Sequence, residues 1–251
     1  MFSRFERILA ATLLFFAACA SPPTKVLTPV EQIAADTAKA AGLATRFRDE
    51  MDFMRLPRAE RFLSRVASLL AGASKDFPLG KVEVRIHRDR NRDESRFFSF
   101  PGNLVSIPFG FLQSVEYENE LAAALAYELA KVMDRHLAAH VEAVSEKGPV
   151  DGILLFGPAS VFALSPEERA GSIRRGSGIL YRAGYDVRGM ASMFQRHPAF
   201  FGNPGSGPEK KEVEFNVREA QRAGSELLPS LKPVVRSAEF IEFKKELARI
   251  R

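Results

Sequence analysis

The stretch from Glu118 to about Val144, opening ENELAAALAYELAKVMDRH, constrains this chain more than any other part of it. Leu121, Leu125, Leu129, Val132 and Leu137 recur at helical spacing, so the stretch predicts one central helix with an apolar stripe facing a core. Such a stripe needs other elements packed against it. A chain of 251 residues that is 46% hydrophobic and 10% aromatic can supply them without crosslinks.

The flanking segments fit around that helix. Val30 to Arg46 and Leu56 to Ala73 read as packing helices, the second with Phe62, Val66, Leu69 and Leu70 at helical spacing. Lys81 to His87 alternates Val82, Val84 and Ile86 with charged neighbours, the pattern of a half-buried strand, and Asn103 to Pro108 reads as a second short strand after the turn-forming FPGN. The charged run from His87 to Arg96 reads as a solvated loop between them. Ser165, Pro166 and the pair Glu167 and Glu168 open a further helix that runs to the AGYD turn at Ala183 to Asp186. A short helix follows from Arg188 to Arg196, Gly202 to Lys211 reads as a loop, and Ser237 to Ile250 reads as a capped helix. The expected fold class is α+β, mostly helical with a small sheet.

The N-terminus predicts a targeting segment. Arg4 and Arg7 precede an apolar run from Ile8 to Phe16 that is too short to span a membrane as an ordinary helix, and FAAC, Phe16 to Cys19, looks like a bacterial lipobox. The reading is a signal peptide over 1–18, a lipid-anchored flexible linker over 19–32 and one domain over 33–251. Cys19 is the only cysteine, so lipidation leaves no thiol for an internal disulfide. Ala20 beside it is not the aspartate associated with inner-membrane retention, which favours the periplasmic face of the outer membrane. Without Arg4, Arg7 and Glu6 the chain has 34 basic and 30 acidic residues, a net charge of +4. That excess suits an anionic surface and does not call for nucleic acid.

Three quoted segments carry a resemblance: RFFSFPGNLVSIPFGFL, ENELAAALAYELAKVMDRH and ILYRAGYDVRGMASMF, in this order. Together they resemble the gluzincin metallopeptidase family of HtpX, the CAAX prenyl endopeptidase and the BepA-type periplasmic peptidases, over Lys81 to Phe194. The resemblance implies a zincin-like domain whose family cofactor is zinc. In that family an H-E-x-x-H helix places two imidazoles four residues apart on one face, and its glutamate activates a metal-bound water. Here the two histidine positions fall on Tyr127 and Lys131, and the general base falls on Glu128, which is retained. Counting back from AGYD puts the third ligand on Arg169, its supporting aspartate on Ile173 and a motif glycine on Gly176; a slip of one residue would bring in Glu168. The early asparagine of the pattern falls on Arg96, and Gly207 and Pro208 stand in the place of a later His-Pro element.

This donor set does not suit zinc. Lysine must lose its proton to coordinate, tyrosine must ionise far below its usual pKa, and arginine offers no lone pair. The expectation is therefore no metal and no cofactor, with Glu128 a vestigial base and Lys131, three residues on, close enough to pair with it and replace the charge of the ion. A second histidine pair, His136 and His140, is expected to point away from that face, and His87 and His197 are expected at the surface. The functional reading is an envelope lipoprotein, not an enzyme, that binds peptide or protein clients by strand addition at Asn103, Leu104, Val105, Ser106 and Ile107. The alternatives are a zinc endopeptidase with unconventional ligands and a purely structural lipoprotein.

Overall fold

The computed structural model describes residues 27–74, 82–91, 94–102, 104–145, 154–156, 160–202 and 209–250. The stretch read as a signal peptide, Cys19, Asn103, Gly207 and Pro208 lie outside the described residues.

Helix α1, Pro29–Glu50, starts within the stretch read as linker. Thr28 caps it, and Glu31 closes a capping box by returning a bond to the Thr28 backbone, so the helix is fixed from its first turn. Strand β1, Phe53–Met54, is followed at once by α2, Pro57–Ala73, with proline in its first turn. Phe62, Leu63, Val66 and Leu70 of α2 face the core, whereas Leu69, expected inside, is 51% exposed. Strands β2, Glu83–His87, β3, Phe98–Phe100, and β4, Leu104–Pro108, complete a sheet of order β1-β2-β4-β3. β4 runs parallel to β2, with Glu83 opposite Leu104, and antiparallel to β3, with Phe98 opposite Ser106.

The short helix α3, Phe109–Ser114, leads into α4, Glu118–Met133. Every residue of α4 from Glu118 to Ala130 is buried, so the expected stripe is in fact a helix enclosed on all sides. Its alanines make this possible, because small side chains let neighbours approach closely. The predicted long helix breaks at Asp134 and Arg135, and a separate helix α5 spans His136–Ser145. Arg135 takes a left-handed backbone, φ 61°, which an L-residue adopts at a cost. Its guanidinium forms a two-pronged ion pair with the buried Asp36 of α1, at 2.7 and 2.9 Å, which holds the break in place.

Helix α6, Pro166–Arg182, opens with the capping box of Ser165 and Glu168 and packs along α4. Gly176 is the contact point: a Cβ there would stand 3.2 Å from the Ala126 carbonyl oxygen and from Tyr127 Cα. After Gly184, at φ 84°, come α7, Arg188–Arg196, α8, Lys210–Ser225, and α9, Ala238–Leu247. Two apolar clusters sit on the sheet. The larger joins Val84, Ile86, Val105 and Ile107 to α2, α4, α6, α7 and α9. The smaller joins Phe98, Phe100 and Leu104 to Leu43 and Phe47 of α1. Among the described residues no helix is long and apolar enough to cross a membrane.

Candidate functional site

Tyr127, Glu128 and Lys131 on α4, Arg169 on α6 and Arg96 before β3 line one small cavity, volume ≈ 30 Å³, together with Phe98, Phe162, Leu164 and Phe201. Residues 42 positions apart thus meet because Gly176 lets α6 lie directly against α4. A space of that size holds water.

Each side chain in it is already engaged. The Lys131 ammonium stands 2.8 Å from Glu128 Oε1 and 2.6 Å from Oε2, with Glu128 only 1% exposed. The Arg169 guanidinium pairs with Glu212 of α8 and donates to the Leu164 carbonyl at 3.2 Å. Arg96 donates to the Gly202 carbonyl. Tyr127 lies edge-on to Phe194 and Phe201, at ring-centre distances of 5.4 and 6.3 Å, in an aromatic cluster that also stacks Phe97 on Phe201. Burial pushes the Tyr127 phenol above its ordinary pKa; Arg169 opposes this, and Glu128 adds to it. A phenol that resists ionisation, an ion-paired ammonium and a guanidinium do not form a zinc site. Ile173, where the pattern has an aspartate, is fully buried and apolar.

The remaining expectations require corrections. β4 is an interior strand, paired on both sides and buried throughout, so Leu104, Val105, Ser106 and Ile107 have no free edge to offer a peptide. Ser106 instead faces inward, its hydroxyl 2.7 Å from His87 Nδ1. His87 is a core residue: its Nε2 lies 2.7 Å from the Glu94 carbonyl, and burial lowers its pKa to about 4. His197 is buried as well, between Glu120 Oε2 at 3.4 Å and Ser114 Oγ at 3.2 Å. Neither has a neighbour pattern that marks it as buried from sequence. His136 and His140 sit beyond the Arg135 break and turn to α6: His140 Nε2 is 2.7 Å from Glu168 Oε1, and His136 Nε2 is 3.0 Å from Ser172 Oγ. Glu168, the alternative third ligand, is thereby committed to the histidines and to capping α6. Burial would raise its pKa, but the Ser165 amide and His140 hold it below the usual carboxylate value.

The quoted motif residues outside the cavity are structural. Glu118 accepts from the Tyr185 hydroxyl at 3.1 Å and from the Ser237 amide at 2.7 Å, which ties the start of α4 to the AGYD turn and to α9. Glu120, 1% exposed, accepts from Ser192 and from Arg196, at 3.1 Å to the latter. Burial alone would raise its pKa; His197, Ser192 and Arg196 hold it below the ordinary value.

Fold and site together define a mostly helical α+β protein with a four-stranded mixed sheet, in which a buried helix and the helix packed on it carry a small charged cavity. Among curated proteins, the chain is similar to ones named beta-barrel assembly-enhancing protease. It is 30% identical over 132 residues to the one assigned in Vibrio cholerae serotype O1, covering 43% of this chain and 27% of that protein. It is 24% identical over 129 residues to that of Yersinia pestis, covering 42% and 26%. The chain spans about a quarter of the length of these curated relatives. No protein-family model matches it.

Proposed function

We propose that this chain is a degenerate member of the gluzincin metallopeptidase family, a lipoprotein anchored through Cys19 at the periplasmic face of the bacterial envelope, that binds protein or peptide clients without cleaving them. The outer membrane is the favoured address, from the residue after Cys19. Similarity to proteases whose name describes enhancement of β-barrel assembly supports an envelope role and a peptidase ancestry.

One observation carries the non-catalytic part: Tyr127, Lys131 and Arg169 occupy the positions of zinc ligands, and each is bound up in packing or ion pairing within a cavity of ≈ 30 Å³. A zinc peptidase needs about three neutral or anionic donors and an open position for water. Here Glu128 faces an ammonium in place of a metal-bound water. An unconventional zinc site would require these side chains to abandon their partners, and no observation favours it.

Metal analysis of the purified chain together with a cleavage assay on an unfolded substrate tests this. The expected result is far less than one zinc per chain and no chelator-sensitive cleavage. Stoichiometric zinc with cleavage that a chelator abolishes would overturn the reading.

A further inference from the structure

Sheet edges are where a folded domain recruits an extended chain, because their unpaired amides and carbonyls accept a new strand. On the β3 side of this sheet α4 packs against the strand, and Phe162 stands edge-on to Phe98 and Phe100. The opposite edge differs. β2 pairs with β4 along its whole length, from Glu83 to His87, but β1 covers only Ile86 and His87. The chain then leaves the sheet, because Pro57 starts α2. Among the described residues no strand pairs with Glu83, Val84 and Arg85 on that side.

The direction of the main-chain groups follows from register. The Arg88 amide donates to the Asp52 carbonyl at 2.9 Å on the β1 side, so strand alternation turns the amides and carbonyls of Ile86 and Val84 to the same side. Met54 faces Ile86, whereas the place opposite Val84 falls at Leu56, whose carbonyl is spent on the Glu60 amide. The open half of β2 lies beside a groove of volume ≈ 1480 Å³, walled by α2 and α9, with Phe62 and Phe243 among its apolar lining. In its rim Arg65 pairs with Glu239, Arg85 with Glu83 and Lys245 with Glu242. Arg58 and Arg61, neighbours on the exposed face of α2, have no ion-pair partner among the described residues.

We propose that this groove binds an extended peptide segment of a partner protein, which adds as a strand to Glu83–Arg85, sets alternate apolar side chains toward Phe62 and Phe243 and places an acidic side chain by Arg58 and Arg61. Only an extended main chain matches the alternating donors and acceptors of a strand edge. The chain's own N-terminal segment is a poor occupant, because Pro22 and Pro23 supply no amide hydrogen. The groove is distinct from the α4 cavity, although its role as a client site rests on the reading that the chain works by binding.

A short capped peptide alternating valine with glutamate, fluorescently labelled, is the probe. Anisotropy with the full chain is expected to show binding that Arg58→Glu with Arg61→Glu weakens at least about tenfold. N-methylation of the amides on one side of the peptide is expected to abolish binding, and on the other side to leave it intact. Hydrogen exchange at the Val84 amide is expected to slow at least about tenfold in the complex. No binding, binding indifferent to methylation on either side, or slowing at Phe98–Phe100 in place of Val84 would each overturn the groove. So would a Val84 amide protected before peptide is added and exposed by removal of residues 1–26, since the chain itself would then be the occupant. Peptide that binds at Val84 and is also cut would uphold the groove and overturn only the non-catalytic reading.

Discussion

Glu128 is a buried carboxylate on α4 that the fold has to neutralise. At 1% exposure an unpaired carboxylate would be costly, and the ammonium of Lys131 supplies the counter-charge from one turn along the same helix. Lys131→Met is therefore expected to lower stability by about 3 kcal/mol, the scale for breaking a buried pair. Adding Glu128→Gln should restore much of the loss. Urea titrations of the wild type, both single variants and the double variant measure the coupling, and an unchanged stability for Lys131→Met would remove the compensation idea.

His87 makes a second prediction at this scale. Burial holds its folded pKa at about 4, against 6.5 unfolded, so the native state refuses a proton that the unfolded chain accepts. Its stabilising contribution is complete above pH 6.5 and is lost as pH falls toward 4, at a cost of roughly 3 kcal/mol from this one group. Stability measured from pH 7 to 4 should show this slope, and His87→Asn should flatten it. The sequence concealed this residue: a histidine ending an alternating strand beside a charged run reads as surface, and only β4, which brings Ser106 to Nδ1, makes it core.

Among the elements, those with a local signal were legible and those defined by a partner were not. The cap at Ser165 with Pro166 after it, and the alternation of Val82, Val84 and Ile86, locate α6 and β2 within a residue or two. The boundaries predicted for α7, Arg188 to Arg196, agree with those observed. β1 has two residues and β3 three, too few for a period to show, and α8 lay beyond a stretch read only as loop. The break after α4 was missed because Asp134 and Arg135 are ordinary helix residues; Asp36, almost a hundred positions earlier, is what holds Arg135 there. The site followed the same rule. The family resemblance, counted along α4 and back from AGYD along α6, nominates Tyr127, Glu128, Lys131 and Arg169, whereas the place of a strand within a sheet is a property of its neighbours, and β4 lies inside the sheet, not at its edge.

Helix contact also yields a prediction. A Cβ on Gly189 would stand 2.5 Å from the Asn119 carbonyl oxygen, where α7 meets the start of α4, and backbone cannot give way as a side chain tip can. Gly189→Ala is expected to cost more than about 2 kcal/mol through displacement of α7. Gly171→Ala, with open space around it, should be neutral or slightly stabilising. A comparison of their melting temperatures checks both.

For the whole molecule, the sheet is the partition between two cores and also their joint, since β3 and β4 send Phe98 and Leu104 to the smaller core while Val105 and Ile107 go to the larger. One cooperative unit should result. Phe47, fully buried and in ring contact with Phe53, Phe98 and Phe100, is the centre of the smaller core. Phe47→Ala is expected to cost about 3–5 kcal/mol, to shift the urea midpoint and to leave the slope of the transition unchanged. A biphasic curve would show that the two cores unfold separately.

The bond between Glu128 and Lys131 has one more consequence. A metal ion equilibrates with its surroundings and can be stripped away, whereas an ammonium on the polypeptide travels with it from synthesis onward. Melting curves with and without a strong chelator should superimpose, and folding should proceed unaided in a medium starved of zinc.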